Sequence, residues 1–183
     1  KKLYFLYDFD KFSNEKLQKK VESIKEHSII GIETGFLVSP KNLSKAIHHS
    51  KILVAKSSPN DRQLTEGRQI KMIYGFEELD RKDYLHQRAS GLNHILCELA
   101  NKNNVAVGLS YSSLIGNNSA VSSLIMGRMM QNISLCQKYK VKTVIASFAT
   151  SPFEMRAQHD IASLFAMLGM SGRNIKESVS LDI

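Results

Sequence analysis

Residues 139–170 read YKVKTVIASFATSPFEMRAQHDIASLFAMLGM, and this pattern predicts a strand, a polar loop and a helix. The apolar run Thr143–Phe148 has the short, β-branched character of a buried parallel strand. Small polar residues follow it, Pro152 can start a helix, and the apolar helical pattern ends at Leu168-Gly169-Met170. A strand, a loop and a capped helix form the repeating unit of an α/β sheet, whose ligand-binding groups gather at the carboxyl ends of the strands.

The rest of the chain repeats this alternation, with short apolar runs separated by helical patterns that begin at possible capping residues. The predicted strands are Leu3–Tyr7, Ile29–Ile32, Ile52–Ala55, Ile70–Tyr74, Val105–Leu109 and Thr143–Phe148. The predicted helices begin at Ser13 or Asn14, at Pro40, at Pro59-Asn60-Asp61, at Leu92, and at Asn118 or Ser119, the last one running to Lys138. This rhythm predicts a parallel sheet. It leaves open whether the sheet closes into a barrel or stays open and doubly wound.

Length and composition suit one α/β domain over residues 1–183, with 43% hydrophobic and 23% charged residues. No apolar run approaches the roughly 20 residues that a membrane span needs. No secretory leader is visible, so we expect a cytoplasmic protein without a membrane partner. Cys97 and Cys136 each fall within an apolar helical pattern, which favours buried free thiols over a disulfide.

The net charge of +8 is unevenly placed along the chain. No acidic residue occurs between Glu98 and Glu154. The basic residues in this window are Lys102, Arg128, Lys138, Lys140 and Lys142. A surface built from this window is positive, which favours a polyanion such as nucleic acid as the partner. A basic protein whose solvated lysines bind nothing specific is the alternative that charge alone leaves open.

Catalytic and metal-binding patterns are weak in this sequence. Zinc or manganese centres draw three or more clustered ligands with supporting contacts. The candidate ligands, which have no diagnostic spacing, are Asp8, Asp10, Glu33, His159 and Asp160. Only His159-Asp160, which the pattern predicts to be buried, is positioned for a site. Glycine-rich phosphate loops and nucleophile elbows are missing from the sequence as well. We therefore expect no catalytic residue and no metal site in this chain.

Single basic residues are better candidates, as phosphate contacts. Arg128 borders the apolar stripe of the longest helix, so its head either reaches water or contacts RNA. Arg156 is predicted in the first turn of a helix, where its charge opposes the helix dipole and calls for an anion, either Asp160 at i+4 or a phosphate. Arg88 ends a charged loop, residues 77–91, that either faces RNA or is solvated with its own acids compensating. The predicted RNA-binding residues are Arg88, Arg128, Lys138, Lys140, Lys142 and Arg156.

Several segments resemble the ribonuclease P protein component 3 family of archaea and eukaryotes. The matching pieces are Ser90-Gly91-Leu92-Asn93-His94, Lys138-Tyr139-Lys140-Val141, Ser147-Phe148-Ala149 before Pro152, Met155-Arg156, Asp160 and Leu168-Gly169-Met170. The resemblance is specific from Ile70 to Ile183 and rests on the β-α rhythm before that. It implies a compact or irregular TIM-like α/β barrel with parallel strands, related to the polymerase and histidinol phosphatase-like phosphoesterases. Those enzymes carry an H-x-H motif near the N-terminus, whereas the first strand here ends in Asp8-Phe9-Asp10.

The resemblance implies a protein subunit of ribonuclease P, the ribonucleoprotein endonuclease that hydrolytically removes the 5′ leader from precursor tRNA. In such a complex the RNA is catalytic and uses magnesium, while this chain binds no cofactor. The implied partners are ribonuclease P RNA and ribonuclease P protein component 2, with precursor tRNA as the substrate of the complex. A stand-alone metal-dependent phosphoesterase on a related barrel is the alternative, and a scaffold that binds only another protein is a third reading.

Overall fold

The computed structural model describes residues 2–11, 19, 22, 23, 31–115 and 117–179. Six parallel strands within these residues form one sheet, ordered β1-β2-β3-β4-β5-β6 and curled into a half-barrel. The strands are β1 (Lys2–Asp8), β2 (Gly31–Val38), β3 (Leu53–Lys56), β4 (Met72–Tyr74), β5 (Ala106–Ser110) and β6 (Thr143–Ala146). The predicted TIM-like α/β fold with parallel strands is confirmed, since every pair of neighbouring strands runs in the same direction.

Helices alternate with the strands from β2 onwards. They are α1 (Leu43–Ala46), α2 (Asp61–Glu66), α3 (His94–Asn103), α4 (Ser119–Lys138), α5 (Gln158–Met167) and α6 (Gly172–Val179). Because the strands are parallel, each is entered from one edge of the sheet, here called the amino rim, and left at the other, the carboxyl rim. No helix in the described ranges has the length and apolar character needed to cross a membrane.

Several predicted elements are present with shifted ends. Asn118 caps α4 as predicted, since its Oδ1 accepts a hydrogen bond from the Val121 N–H at 2.9 Å. Strand β2 runs past the predicted end at Ile32 to Val38, because pairing with β1 and β3 supplies backbone hydrogen bonds that its polar residues do not signal. The helix predicted from Ser13 or Asn14 lies outside the described residues.

The prediction that a helix begins at Pro152 is wrong. Pro152–Glu154 forms a single 3-10 turn, and α5 begins only at Gln158 after a stretch of extended backbone. The Glu154 carboxylate accepts hydrogen bonds from the N–H of Thr150 at 2.8 Å and from its hydroxyl at 3.0 Å. These bonds fold the turn back onto the segment that leaves β6. Arg156 therefore lies in the connection before α5, outside any helix.

Apolar side chains cover both faces of the sheet. Strand β5 is buried along its whole length, as expected for a parallel strand covered on both sides. On the helix side, Leu109 packs in one cluster with Ile133 of α4 and Phe165 of α5. Cys97 and Cys136 lie in the neighbouring cluster as buried free cysteines, as predicted.

The inner face of the half-barrel closes at the carboxyl rim with two stacked aromatic rings. The rings of Tyr74 and Phe148 lie parallel to within 7°, with their centroids 4.5 Å apart. A Cβ added at Gly108 would lie 2.7 Å from the Tyr74 Cβ and 3.0 Å from the Phe148 Cζ. Glycine at this position therefore makes room for the stacked pair.

The alternative in which the head of Arg128 in α4 reaches water is wrong, because only 2% of the residue is exposed. Its Nε donates to Asp83 Oδ1 at 3.0 Å, and its Nη2 donates to the Arg81 carbonyl. Its Nη1 donates to the carbonyls of Glu77 at 3.1 Å and Leu79 at 2.8 Å. Four acceptors satisfy a buried charge that would be costly if left unpaired. Arg128 thereby holds residues 77–90, here called the anchored loop, against α4.

Glu77, at the start of the anchored loop, is 0% exposed. Within the described part of the chain, neither of its carboxylate oxygens has a hydrogen-bond partner of good geometry. Burial raises the pKa of Glu77 to about 7, and the nearby backbone N–H groups of Glu77 and Ser110 oppose this only in part. Near neutral pH the folded chain therefore holds a proton at Glu77 in a large share of molecules.

Replacing Arg128 by Met should lower the free energy of unfolding by about 3–5 kcal/mol. The change removes the buried partner of three carbonyls and of the Asp83 carboxylate, which keeps the Ala89 N–H and Arg88 as its partners. Arg128→Lys should lose less, because an ammonium keeps the charge but cannot reach all four acceptors. Urea unfolding of the three proteins measures both changes. A loss below about 1 kcal/mol for Arg128→Met would show that the anchored loop does not depend on this guanidinium.

The second prediction concerns pH. Because the pKa of Glu77 is raised from its usual 4.5 to about 7, the folded chain binds more protons than the unfolded chain between these values. The contribution of Glu77 to stability should therefore be greatest below the lower value and fall as the pH rises, by up to about 3 kcal/mol.

Glu77→Gln should remove this loss, so the variant should gain stability relative to the parent between pH 5 and pH 8. Urea unfolding at both pH values measures the gain. Glu66→Gln is the control, because Glu66 is a half-exposed partner of Arg62 on α2. Equal pH dependence in Glu77→Gln and the parent would contradict the prediction.

Candidate nucleic-acid interface

A cleft of about 550 Å³ opens at the carboxyl rim, where β3, β4 and β5 end. Lys56 and Glu78 line it as an ion pair, with Nζ 2.6 Å from Oε2. The hydrogen bond to Glu78 raises the pKa of Lys56, while partial burial of the ammonium opposes this. Since cation and acid neutralise each other, Lys56 gives this cleft no net positive charge.

Serine hydroxyls that follow β3 and β5 are engaged within the protein. The hydroxyl of Ser57 donates to Asp61 Oδ2 at 2.6 Å, and that of Ser113 donates to Glu78 Oε1 at 2.6 Å. The Ser112 hydroxyl donates to the Phe148 carbonyl at 3.0 Å. These bonds tie the loops of the carboxyl rim together. A phosphate bound here would have to replace them.

Arg156 lies at the same rim, exposed, on the connection before α5. Its Nη1 donates to the carbonyls of Phe153 and Met155, each at 2.8 Å. Its Cζ lies 5.7 Å from the centroid of the Tyr111 ring, within the range of a cation–π contact. These contacts orient the guanidinium and leave its outer side open to solvent.

The two alternatives for Arg156 assumed a helical position, and one of them is wrong. Asp160 lies beside His159, with Oδ1 3.9 Å from Nδ1, and makes no ion pair with Arg156, which is also a described residue. The His159 side chain is 91% exposed, so the predicted burial of the His159-Asp160 pair is wrong too. Ile161 and Phe165 are the buried positions of α5. The side chains of His159 and Asp160 in its first turn therefore face solvent.

Lys138, Lys140 and Lys142 lie at the opposite rim, immediately before β6. Lys138 is the last residue of α4, where a positive charge is favourable to the helix dipole. Its Nζ lies 5.5 Å from the centroid of the Tyr139 ring. All three lysines are exposed. They are separated from Arg156 by the length of β6, so the predicted RNA-binding residues do not form one site.

Arg88 lies across α4 at the end of the anchored loop. Its N–H donates to Gln131 Oε1 at 3.2 Å, and Gln131 Nε2 donates to the Arg88 carbonyl at 3.0 Å. A Cβ at Gly127 would meet the Arg88 guanidinium, so a larger residue there would displace the end of this flexible side chain. Arg88 Nη1 is 3.8 Å from Asp83 Oδ2, and its side chain is 50% exposed. A half-exposed arginine in a fixed position remains able to contact a phosphate.

Asp83 is a structural residue, although in the sequence it is only one of several acids in a charged loop. Burial opposes its charge, yet hydrogen bonds from the Ala89 N–H and Arg128 and the charges of Arg128 and Arg88 together lower the pKa of Asp83. The sequence around Glu77 does not show that this residue is buried either. Both acids meet their surroundings through residues far away in sequence, so no local pattern marks them.

No group of three or more His, Cys, Asp or Glu side chains within the described ranges is placed to hold a metal ion. Asp8 accepts a hydrogen bond from the Asp10 N–H at 3.2 Å and lies 3.7 Å from Lys11 Nζ. Asp10 in turn accepts a hydrogen bond from Asn42 Nδ2. The carboxylates that end β1 therefore belong to local contacts.

Comparison with known proteins places this fold among ribonuclease P subunits. Ribonuclease P protein component 3 of Methanococcus maripaludis is 27% identical over 157 residues, which cover 83% of this chain and 66% of that protein. The protein of the same name from Methanococcoides burtonii is 35% identical over 83 residues, 45% of this chain and 34% of that protein. The chain thus spans just under two thirds of the length of the first relative and less of the second.

The fold has a match among solved structures, in the cryo-EM structure of archaeal ribonuclease P with mature tRNA. The TM-score is 0.80, and the match covers 97% of this chain and 78% of that chain at 20% identity. A likeness at this identity shows a shared fold. The sequence model of the RNase P subunit p30 family matches residues 82–182, which contain the end of the anchored loop, α4, β6 and α5. This match extends over more than half of the sequence, and the chain belongs to the RNase P subunit p30 family.

Proposed function

We propose that this chain acts as a protein subunit of ribonuclease P, supporting the catalytic RNA in removal of the 5′ leader from precursor tRNA. The observation that carries the proposal is membership of the RNase P subunit p30 family over residues 82–182. The exposed basic residues predicted to contact RNA fall in that region and are Arg88, Lys138, Lys140, Lys142 and Arg156.

The chain's part in this function is electrostatic. Lysine and arginine side chains at fixed positions neutralise phosphates and release the cations condensed on the RNA. A folded RNA then needs less magnesium to stay compact. In this proposal the magnesium ions and the catalytic centre belong to the RNA, and this chain activates no water molecule.

The proposed partners follow from the same family membership. They are ribonuclease P RNA and ribonuclease P protein component 2, with precursor tRNA as the substrate of the assembled endonuclease. The proposed compartment is the cytoplasm. The buried free thiols of Cys97 and Cys136 are compatible with a reducing environment.

A stand-alone metal-dependent phosphoesterase has no specific observation in its favour. The first strand ends in Asp8-Phe9-Asp10 in place of an H-x-H motif, and these carboxylates are used by neighbouring side chains and backbone. The relatives carry the name of a ribonuclease P component. The subunit function is therefore the better supported of the two.

The third prediction concerns Lys138, Lys140 and Lys142. Binding of ribonuclease P RNA should weaken steeply with salt, and changing the three lysines together to alanine should reduce the slope of log K against log salt by up to three contacts, ~0.7–0.9 each. Stability should change little, because the side chains are exposed.

Fluorescence anisotropy with labelled ribonuclease P RNA at several salt concentrations measures this slope. The matched control changes Lys41, Lys45 and Lys82 to alanine, which removes the same charge from exposed positions after other strands. Salt-independent binding of the parent chain would exclude a phosphate interface.

The fourth prediction concerns Arg156, whose contacts are two exposed carbonyls and the face of Tyr111. Arg156→Ala should leave the melting temperature nearly unchanged and lower the activity of reconstituted ribonuclease P at limiting magnesium. Asp160→Asn should have no effect, because Asp160 does not touch Arg156. Arg173→Ala is the control, since it removes an exposed arginine of α6 that pairs with Glu177. Full activity of Arg156→Ala at limiting magnesium would remove Arg156 from the interface.

A further inference from the structure

The connections that enter β3, β4, β5 and β6 share an unusual composition. They are residues 48–52, 67–71, 101–105 and 138–142, and together they contain seven Lys or Arg and no Asp or Glu. The seven residues, here called the basic rim, are Lys51, Arg68, Lys71, Lys102, Lys138, Lys140 and Lys142. Because the strands are parallel neighbours, these connections lie side by side along the amino rim of the sheet.

The basic rim is exposed and largely without opposite charge. All seven residues are exposed. Among the described residues, the ion pairs within 4.0 Å include none of Lys51, Arg68, Lys71, Lys102, Lys138 and Lys140. Arg68 makes a side-chain contact, but it donates to the neutral amide of Asn103 at 2.9 Å.

The carboxyl rim differs, because acids accompany the cations in its connections, although Arg156 is in no ion pair there among the described residues. Lys56 pairs with Glu78 at 2.6 Å, while Arg88 and Arg128 share the carboxylate of Asp83 at 3.8 and 3.0 Å. The two rims of one sheet therefore differ in net charge. Six of the seven cations form no ion pair with any described residue, and an external polyanion relieves their mutual repulsion.

Several acids lie on the elements next to the basic rim, and one of them is Glu33 near the start of β2, the strand that pairs with β3. Glu66 ends α2 and is paired with Arg62 at 2.9 Å. Glu98 lies one turn before Lys102 on α3, and Glu177 lies on α6, whose Ser178 bonds Thr143 at the start of β6. These acids lie on strands and helices beside the four connections, and the connections themselves contain no Asp or Glu.

The dimensions of the basic rim fit a nucleic-acid backbone. Neighbouring strands lie ~4.8 Å apart, so the entries to four strands extend over roughly 14 Å. A double helix carries one negative charge per ~1.7 Å of axis, or roughly eight charges over that distance. The number of cations in the row, seven, is close to this number of phosphate charges. Several of the cations can therefore face phosphates at once.

The remaining surface of the basic rim favours RNA over a protein partner. The exposed neutral or titratable residues of the four connections are polar and include His48, His49, Gln69, Asn101 and Asn104. A stable protein interface has an apolar core with aromatic side chains, and no exposed large apolar residue lies in these connections. Lysines without such a core suit phosphate oxygens, which are contacted independently of base sequence.

We propose that the basic rim is the surface through which this chain binds folded RNA, by the phosphate backbone of a duplex and without reading its sequence. The proposal rests on the proposed function and gives it a location. It assigns the main RNA contact to the amino rim. The carboxyl rim is the edge where α/β barrels bind small ligands.

The test uses the part of the basic rim that lies outside 138–142. Lys51→Gln, Lys71→Gln and Lys102→Gln are combined in one variant of the full chain, and the control combines Lys41→Gln, Lys45→Gln and Lys82→Gln. Binding to a 16-base-pair RNA duplex of arbitrary sequence is followed by fluorescence anisotropy between low and moderate salt. Circular dichroism and melting temperatures check that both variants are folded.

The rim variant should bind the duplex at least ~10-fold more weakly at low salt, and its salt slope should fall by about three. The control should change neither quantity by a comparable amount. Two duplexes of different sequence should bind equally. Equal effects of the two triple variants would overturn the proposal, and so would competition by poly-glutamate as effective as that by RNA, which would indicate an acidic protein partner.

Processing of precursor tRNA by reconstituted ribonuclease P separates this proposal from the function on which it rests. A parent chain that binds the duplex through the basic rim but does not stimulate processing would support the rim and overturn the subunit function. A parent chain that stimulates processing while the rim variant binds RNA as well as the control does would overturn the rim alone.

Discussion

The common direction of its six strands is the constraint on which the rest of this structure depends. A parallel sheet sends every connection to one of two rims, so side chains far apart in sequence become neighbours according to whether they precede or follow a strand. Acids and their partner cations collect where the strands end. Lysines whose connections contain no acid collect where the strands begin. The charge pattern of the molecule is thus a result of topology acting on a sequence whose basic residues are widely spread.

One buried guanidinium gives the carboxyl rim its order. Arg128 reaches from α4 to Asp83 and to three carbonyls of the anchored loop, while Arg88 packs back over Gly127. The loop carries many charges, and its shape is set by hydrogen bonds to α4, to Lys56 and Ser113, and within the loop itself. Arg128 therefore determines the position of the loop that borders the cleft.

Sequence patterns predicted the features that depend on interactions between residues close together in the sequence. The β-α alternation, the cap at Asn118 and the buried thiols depend on neighbours within a few residues, and these predictions are confirmed. Arg128 could not be placed in this way, because its acceptors lie 45 to 51 residues away. The basic rim could not be predicted from local sequence patterns either. Only Lys138, Lys140 and Lys142 stand together in sequence, and the other members become neighbours through the pairing of β3 to β6.

The contrast between the two rims also gives the molecule a direction in solution. A body with surplus positive charge at one end behaves as an electric dipole, and the field of a polyanion turns its positive end inward before contact. Encounters then begin in a narrow range of orientations, and the rate of association depends on ionic strength more strongly than the rate of dissociation. The order of residues around each β-strand of this chain thus influences how fast it finds a partner, in addition to how tightly it holds one.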